Sequence, residues 1–162
     1  MESRAKLFGH AVHPMLIVFP VGLLATSVIF DLIYLSSSNP SWAGHSYVMI
    51  GAGVLSGLVA AIFGFLDYRA IPSGSRAKSI GATHGIGNVI MIGLFVASWF
   101  VRKDLPSHIP NLVALSLSFV GFLLSLVTGW LGGELVDRLG VGVDEGANVN
   151  APSSLKTSTL KH

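Results

Sequence analysis

From Ser46 to Leu66 the chain carries no charged residue, and three further stretches come close to matching it. A helix needs about 20 apolar residues to cross the hydrocarbon of a bilayer. The stretches 14–35, 46–66, 80–101 and 111–131 each meet that requirement, with Asp31 the one charge inside the first. In lipid a backbone must satisfy its own polar groups, so these segments have to be helical. The expected fold is therefore all-α, an integral membrane four-helix bundle occupying residues 1–139. Residues 140–162 are polar, small and aperiodic, and read as a flexible tail. The first stretch is too long for a signal-peptide core, and no small-residue cleavage site follows it.

Composition agrees. Charged residues make up 11% of the 162, against about 25% in a typical soluble domain. Hydrophobic residues make up 51%, and mean hydropathy is +0.69. Disordered chains, strongly charged tail proteins and ordinary stand-alone soluble enzymes are excluded on that basis. A net charge of +2 makes no case for nucleic acid as a partner. Cysteine is absent, which removes disulfides, thiolate zinc sites, Cys-ligated iron–sulfur clusters and c-type haem linkages. Metal or redox chemistry must then rest on His, Met or carboxylate.

Topology follows from Lys and Arg. One side holds Arg4, Lys6, Arg69, Arg76, Lys78 and Arg138, with Lys156 and Lys161 further out; the other holds Arg102 and Lys103. The positive-inside rule then places both termini in the cytoplasm, and an even number of spans agrees with both lying on one side. The expected location is the bacterial inner membrane, with the lipid bilayer as first partner. Trp42, Trp99 and Trp130 fall near span ends, where amphipathic rings favour the interface.

Helices in lipid associate by close packing, which small residues permit. Gly121, Ser125, Gly129 and Gly133 repeat at four-residue spacing, and Gly53, Gly57 and Ala61 form a similar row. These rows read as helix–helix faces, within the chain or towards a second copy. Pro20 removes a backbone hydrogen bond and should kink the first span.

Topology and sequence together gather ionisable groups at the end holding the termini. His10 and His13 open span one, Asp67 closes span two, His84 opens span three and Glu134 closes span four. The other end offers Asp31, His45, Asp104 and His108. Ionisable residues at membrane depth are costly and mark candidate sites. A structural role is open to each: His13 before Pro14 as a cap, His84 bonding a neighbouring carbonyl, and Asp67 or Glu134 pairing with Arg69, Arg76 or Arg138. Asn88 lies one turn beyond His84 on the same face.

Two chemistries can use this set. His13 and His84 suit the axial positions of haem b, with Asn88 nearby and Arg69 or Arg138 meeting the propionates. Alternatively His10, His13, Asp67, His84 and Glu134 form a mixed site for zinc or iron. Neither spacing is a motif in itself, and HExxH, hydrolase triads and phosphate loops are all missing.

His13-Pro14 leading to Phe19-Pro20, Gly64-Phe-Leu-Asp-Tyr68, His84, and Gly129-Trp-Leu-Gly-Gly-Glu-Leu-Val136 followed by Gly140-Val-Gly-Val143 together resemble the DUF2231 family of bacterial membrane proteins. The resemblance spans His10 to Val143 and implies the four-span fold. Some members of that family are joined to Rieske-type domains, which points towards electron transfer; the cysteine-free chain carries no such domain. The functional expectation is thus a small b-type cytochrome or subunit of a respiratory or other redox complex. The alternatives are a non-catalytic accessory subunit of a larger membrane complex, and a His/carboxylate protein that binds or transports a divalent metal.

Overall fold

The computed structural model describes residues 1–155. A short antiparallel hairpin, β1 (Lys6–Leu7) and β2 (His10–Ala11), leads into α1 (Val12–Leu16). Then come α2 (Val18–Ser37), α3 (Pro40–Ala70), α4 (Arg76–Lys103) and α5 (Leu112–Gly133), the last continued by a π turn over Glu134–Arg138. These make four membrane spans, α1 and α2 together forming the first.

Helix boundaries have local causes. Asn39, Ser75 and Asn111 cap α3, α4 and α5 by accepting from the amides of Ser41, Lys78 and Ala114. Pro40 sits in the first turn of α3, where its missing N–H costs nothing. The break between α1 and α2 falls at Ile17. Pro20 has no N–H to give the Leu16 carbonyl, and α1 ends at Leu16. The helices outrun the apolar stretches: α3 has 31 residues, about 46 Å at 1.5 Å per residue, against a hydrocarbon core of about 30 Å. Their ends therefore reach headgroup level.

Helix α2 packs on α3, α3 on α4, α4 on α5 and α5 on α2, so α2 and α4 face each other across a diagonal. Leu24, Val28, Ile50, Met91 and Phe95 form the buried core. Outside it the usual polarity is inverted. Val89, Leu123 and Val48 are exposed, whereas Ser27, Asp31, Ser46, Ser98, Arg102 and Ser118 have no exposure. Lipid as surrounding solvent accounts for both halves of that pattern.

The bundle is two copies of one hairpin. His13, Val18, Gly22, Leu23 and Ser27 recur as His84, Val89, Gly93, Leu94 and Ser98, each pair 71 residues apart, the separation that also divides Asp31 from Arg102. In the returning helices Gly53, Leu55, Leu58, Val59 and Gly64 recur as Gly121, Leu123, Leu126, Val127 and Gly132. Packing follows the same correspondence. A Cβ on Gly53 would meet Leu24 at 2.6 Å, and one on Gly121 would meet Phe95, the counterpart of Leu24, at 3.0 Å. Parallel repeats of this kind are related by an axis along the membrane normal.

The glycine rows divide on this evidence. Gly53, Gly57 and Gly121 lie against neighbouring side chains. Gly129 faces open space, and Gly133 has only Asp137 of its own helix end, 3.9 Å from the Cβ position. The segment expected to be a loose tail makes contacts between Gly140 and Ser154. The Met1 ammonium donates to the Gly140 carbonyl at 2.8 Å, the Gly142 amide donates to the Met1 carbonyl, and Lys6 pairs with Asp144. The end of that segment, residues 156–162, lies outside the described residues.

Candidate functional site

His13 stands at the start of the first hairpin, in the first turn of α1, and His84 in the second, two turns inside α4. His13 Nδ1 donates to the Ala60 carbonyl of α3 at 2.9 Å; His84 Nδ1 donates to the Thr128 carbonyl of α5 at 2.9 Å. A carbonyl only accepts, so each ring carries a proton on Nδ1, and in the neutral imidazole the lone pair is on Nε2. Four residues beyond each carbonyl stands a glycine. A Cβ on Gly64 would lie 2.8 Å from His13 Cε1, and one on Gly132 3.2 Å from His84 Cε1. These glycines leave the outer face of the helix turn bare, so an imidazole can reach a carbonyl already bonded along the helix. His84 Nε2 accepts from Asn88 at 3.2 Å, and Asn88 also donates to the His84 carbonyl at 2.9 Å. Both histidines are half-buried, and they stand within electrostatic range of each other.

The other ionisable groups of this end are engaged separately. Asp67 is buried and accepts from the Ser3 hydroxyl and the Arg4 amide, each at 2.8 Å, so it holds the N-terminal segment and not an arginine side chain. Glu134 pairs with Arg76 at 2.6 Å, one of the pairings expected for it. His10 lies in β2, exposed, 3.3 Å from the Ser154 hydroxyl. Arg69 and Arg138 are exposed and make no ion pair among the described residues. Among the described residues no three His, Asp or Glu side chains gather into a metal-holding group. Helix direction does bring His10, His13, Asp67, His84 and Glu134 to one end; lateral position then separates them.

Over this end lies the N-terminal segment. Lys6 bridges Glu2 and Asp144. The Asp144 and Glu2 carboxylates hold the Lys6 ammonium above the ordinary lysine value, and Lys6 holds the Glu2 carboxyl below the carboxylate range.

The opposite end contains a polar centre that sequence reading did not assemble. Arg102 Nη1 and Nη2 each donate to one oxygen of Asp31 at 2.7 Å, a bidentate pair with both side chains fully buried. The guanidinium donates further to the Ser46, Ser98 and Ser118 hydroxyls at 3.0 to 3.2 Å, and Ser98 in turn donates to the Ala114 carbonyl or bonds Ser118. No buried side-chain polar atom among the described residues lacks a partner. Asp31 and Arg102 are repeat counterparts, so the pair joins the diagonal α2 and α4. The recurring pattern His-x4-Val-x3-Gly-Leu-x3-Ser, with Asp31 and Arg102 each four residues beyond its serine, is the sequence signal that links them.

The model of a family described as predicted membrane proteins, DUF2231, matches residues 9–145. No curated protein and no solved structure matches the chain.

Proposed function

The chain belongs to the DUF2231 family of predicted membrane proteins, and from that premise we propose a b-type haem protein of electron transfer, with His13 and His84 as axial ligands. The observation that carries this reading is the matched fixing of the two imidazoles. Each commits Nδ1–H to a helix carbonyl and keeps the Nε2 lone pair, and an outer partner of this kind orients a metal-ligating histidine and sets its tautomer. The repeat gives the two rings equivalent places in the two hairpins, and side chains on different helices of a bundle are where such cofactors are held. In this reading Asn88 leaves the His84 Nε2 and keeps its bond to the His84 carbonyl, while the exposed Arg69 and Arg138 are the cations for the propionates. Haem bound there would supply one-electron chemistry; the chain itself holds the rings and fixes their tautomers. We place this end in the cytoplasm of a bacterial inner membrane, on the Lys and Arg distribution.

The test is a reduced-minus-oxidised visible spectrum of the intact protein purified from haem-replete cells. Sharp α and Soret bands are expected, lost in His13→Ala and in His84→Ala. A colourless preparation refutes haem binding. Bands that survive both substitutions refute the ligand assignment.

A further inference from the structure

We infer that the tip of the N-terminal hairpin, Leu7 and Phe8, is inserted into the lipid interface beside the first span. Phe8 is 74% exposed and Leu7 48%, so most of Phe8 and about half of Leu7 stand clear of the described chain. The turn that presents them has Phe8 at φ 51° and Gly9 at φ 85°. Two positive φ angles make the tight hairpin turn that favours Asn-Gly. Glycine takes that conformation freely; phenylalanine takes it against a steric penalty. No contact within the protein offsets that penalty, because the ring projects away from the fold. An apolar solvent does offset it.

The position of the hairpin supplies that solvent. β2 ends at Ala11 and the first span opens at Val12. At about 3.3 Å per residue the tip lies within about 13 Å of the span's first residue. The helix ends reach headgroup level, so the hairpin lies at the same depth. One side of it is occupied: Gly9 packs on Ser154 and His10 bonds Ser154. The uncovered apolar tip lies beside a span whose Met15, Val18 and Phe19 are themselves exposed to lipid. A shallow groove lined by His10, Ala11, Pro14 and Met15 joins the two. The hairpin thus pins the N-terminal segment to the leaflet, at the end where His13 and His84 stand, and this holds whether or not those histidines bind haem.

The absence of cysteine makes the test direct. A spin label is attached at Leu7→Cys, or at Asn148→Cys as an exposed reference, in the full chain reconstituted into liposomes. Collision with oxygen, which partitions into lipid, is compared with collision with a water-soluble nickel chelate. The label at position 7 is expected to show a severalfold higher oxygen-to-nickel ratio than the label at 148, and Phe8→Asp in the same labelled chain is expected to remove the difference. Equal ratios at the two positions overturn the inference. Exclusion from both reagents also overturns it, since that places the tip under protein.

Discussion

The Asp31–Arg102 pair allows a quantitative test of what organises the bundle. Arg102→Met keeps much of the side-chain length and removes the charge. Asp31, fully buried, receives its two side-chain hydrogen bonds from Arg102 alone, so the substitution leaves a carboxylate without a partner. Removing one member of a buried pair costs about 3–5 kcal/mol. For a chain of this size each kcal/mol moves the melting temperature by about 2–4 °C, so a fall of about 6–20 °C is expected. The double variant Asp31→Leu/Arg102→Met removes the orphaned charge and should recover most of that loss. The exchange Asp31→Arg/Arg102→Asp should recover less. The repeat counterparts of Ser46 and Ser118 are Ala114 and Ile50, so a guanidinium at position 31 finds fewer hydroxyls than Arg102 does. The assay is thermal unfolding in one fixed detergent, followed by circular dichroism. If Arg102→Met melts within about 2 °C of the parent, the pair is not an organising contact. If the double apolar variant is as damaged as the single one, lost shape and not an uncompensated charge is the cause.

Two further outcomes follow. Gly53→Ala places a methyl 2.6 Å from Leu24 and should destabilise by about 1–3 kcal/mol, whereas Gly129→Ala, facing open space, should be neutral in the same melting assay; equal effects would refute the packing assignment. The contacts holding the N-terminal segment have a pH window. Glu2 is depressed in the folded chain, so its contribution is complete above the ordinary carboxylate pKa of about 4.3 and is lost as pH falls through its lower folded value. Lys6 is raised, so its contribution is complete below about pH 10.4 and is lost as pH rises through its higher folded value. Protease protection of residues 1–11 should therefore decline as pH falls below about 4 and again as it rises above about 10; protection unchanged at both extremes would contradict this origin.

The spans and the break near Pro20 were legible in the sequence because each depends on local chemistry: hydropathy and a missing N–H. His13 and His84 stood out because a span opening with an ionisable group is rare enough to notice. Their carbonyl partners were not legible, since Ala60 and Thr128 belong to the partner helices and only packing selects them. Arg102 was misleading for a physical reason. At the end of a span it has the composition of a flanking cation, and nothing local shows that its side chain turns inward to Asp31. Asp67 and Glu134 illustrate the converse: helix direction sends both to the expected end, but azimuth around the bundle decides their partners. The duplicated pattern carried the missing information, because residues at equivalent places in two copies of a hairpin meet where the copies face each other.

That duplication bears on what a single chain permits. Two separate, identical hairpins assembled about a true two-fold axis would bring position 31 of one against position 31 of the other: carboxylate on carboxylate, or guanidinium on guanidinium. Joined by the turn at residues 71–75, the copies are free to differ. One carries Asp31 and the other Arg102, and a place where symmetry enforces repulsion holds a bidentate ion pair. The linker is therefore more than a connection. It frees the two halves from being identical, and their buried bidentate ion pair depends on that freedom.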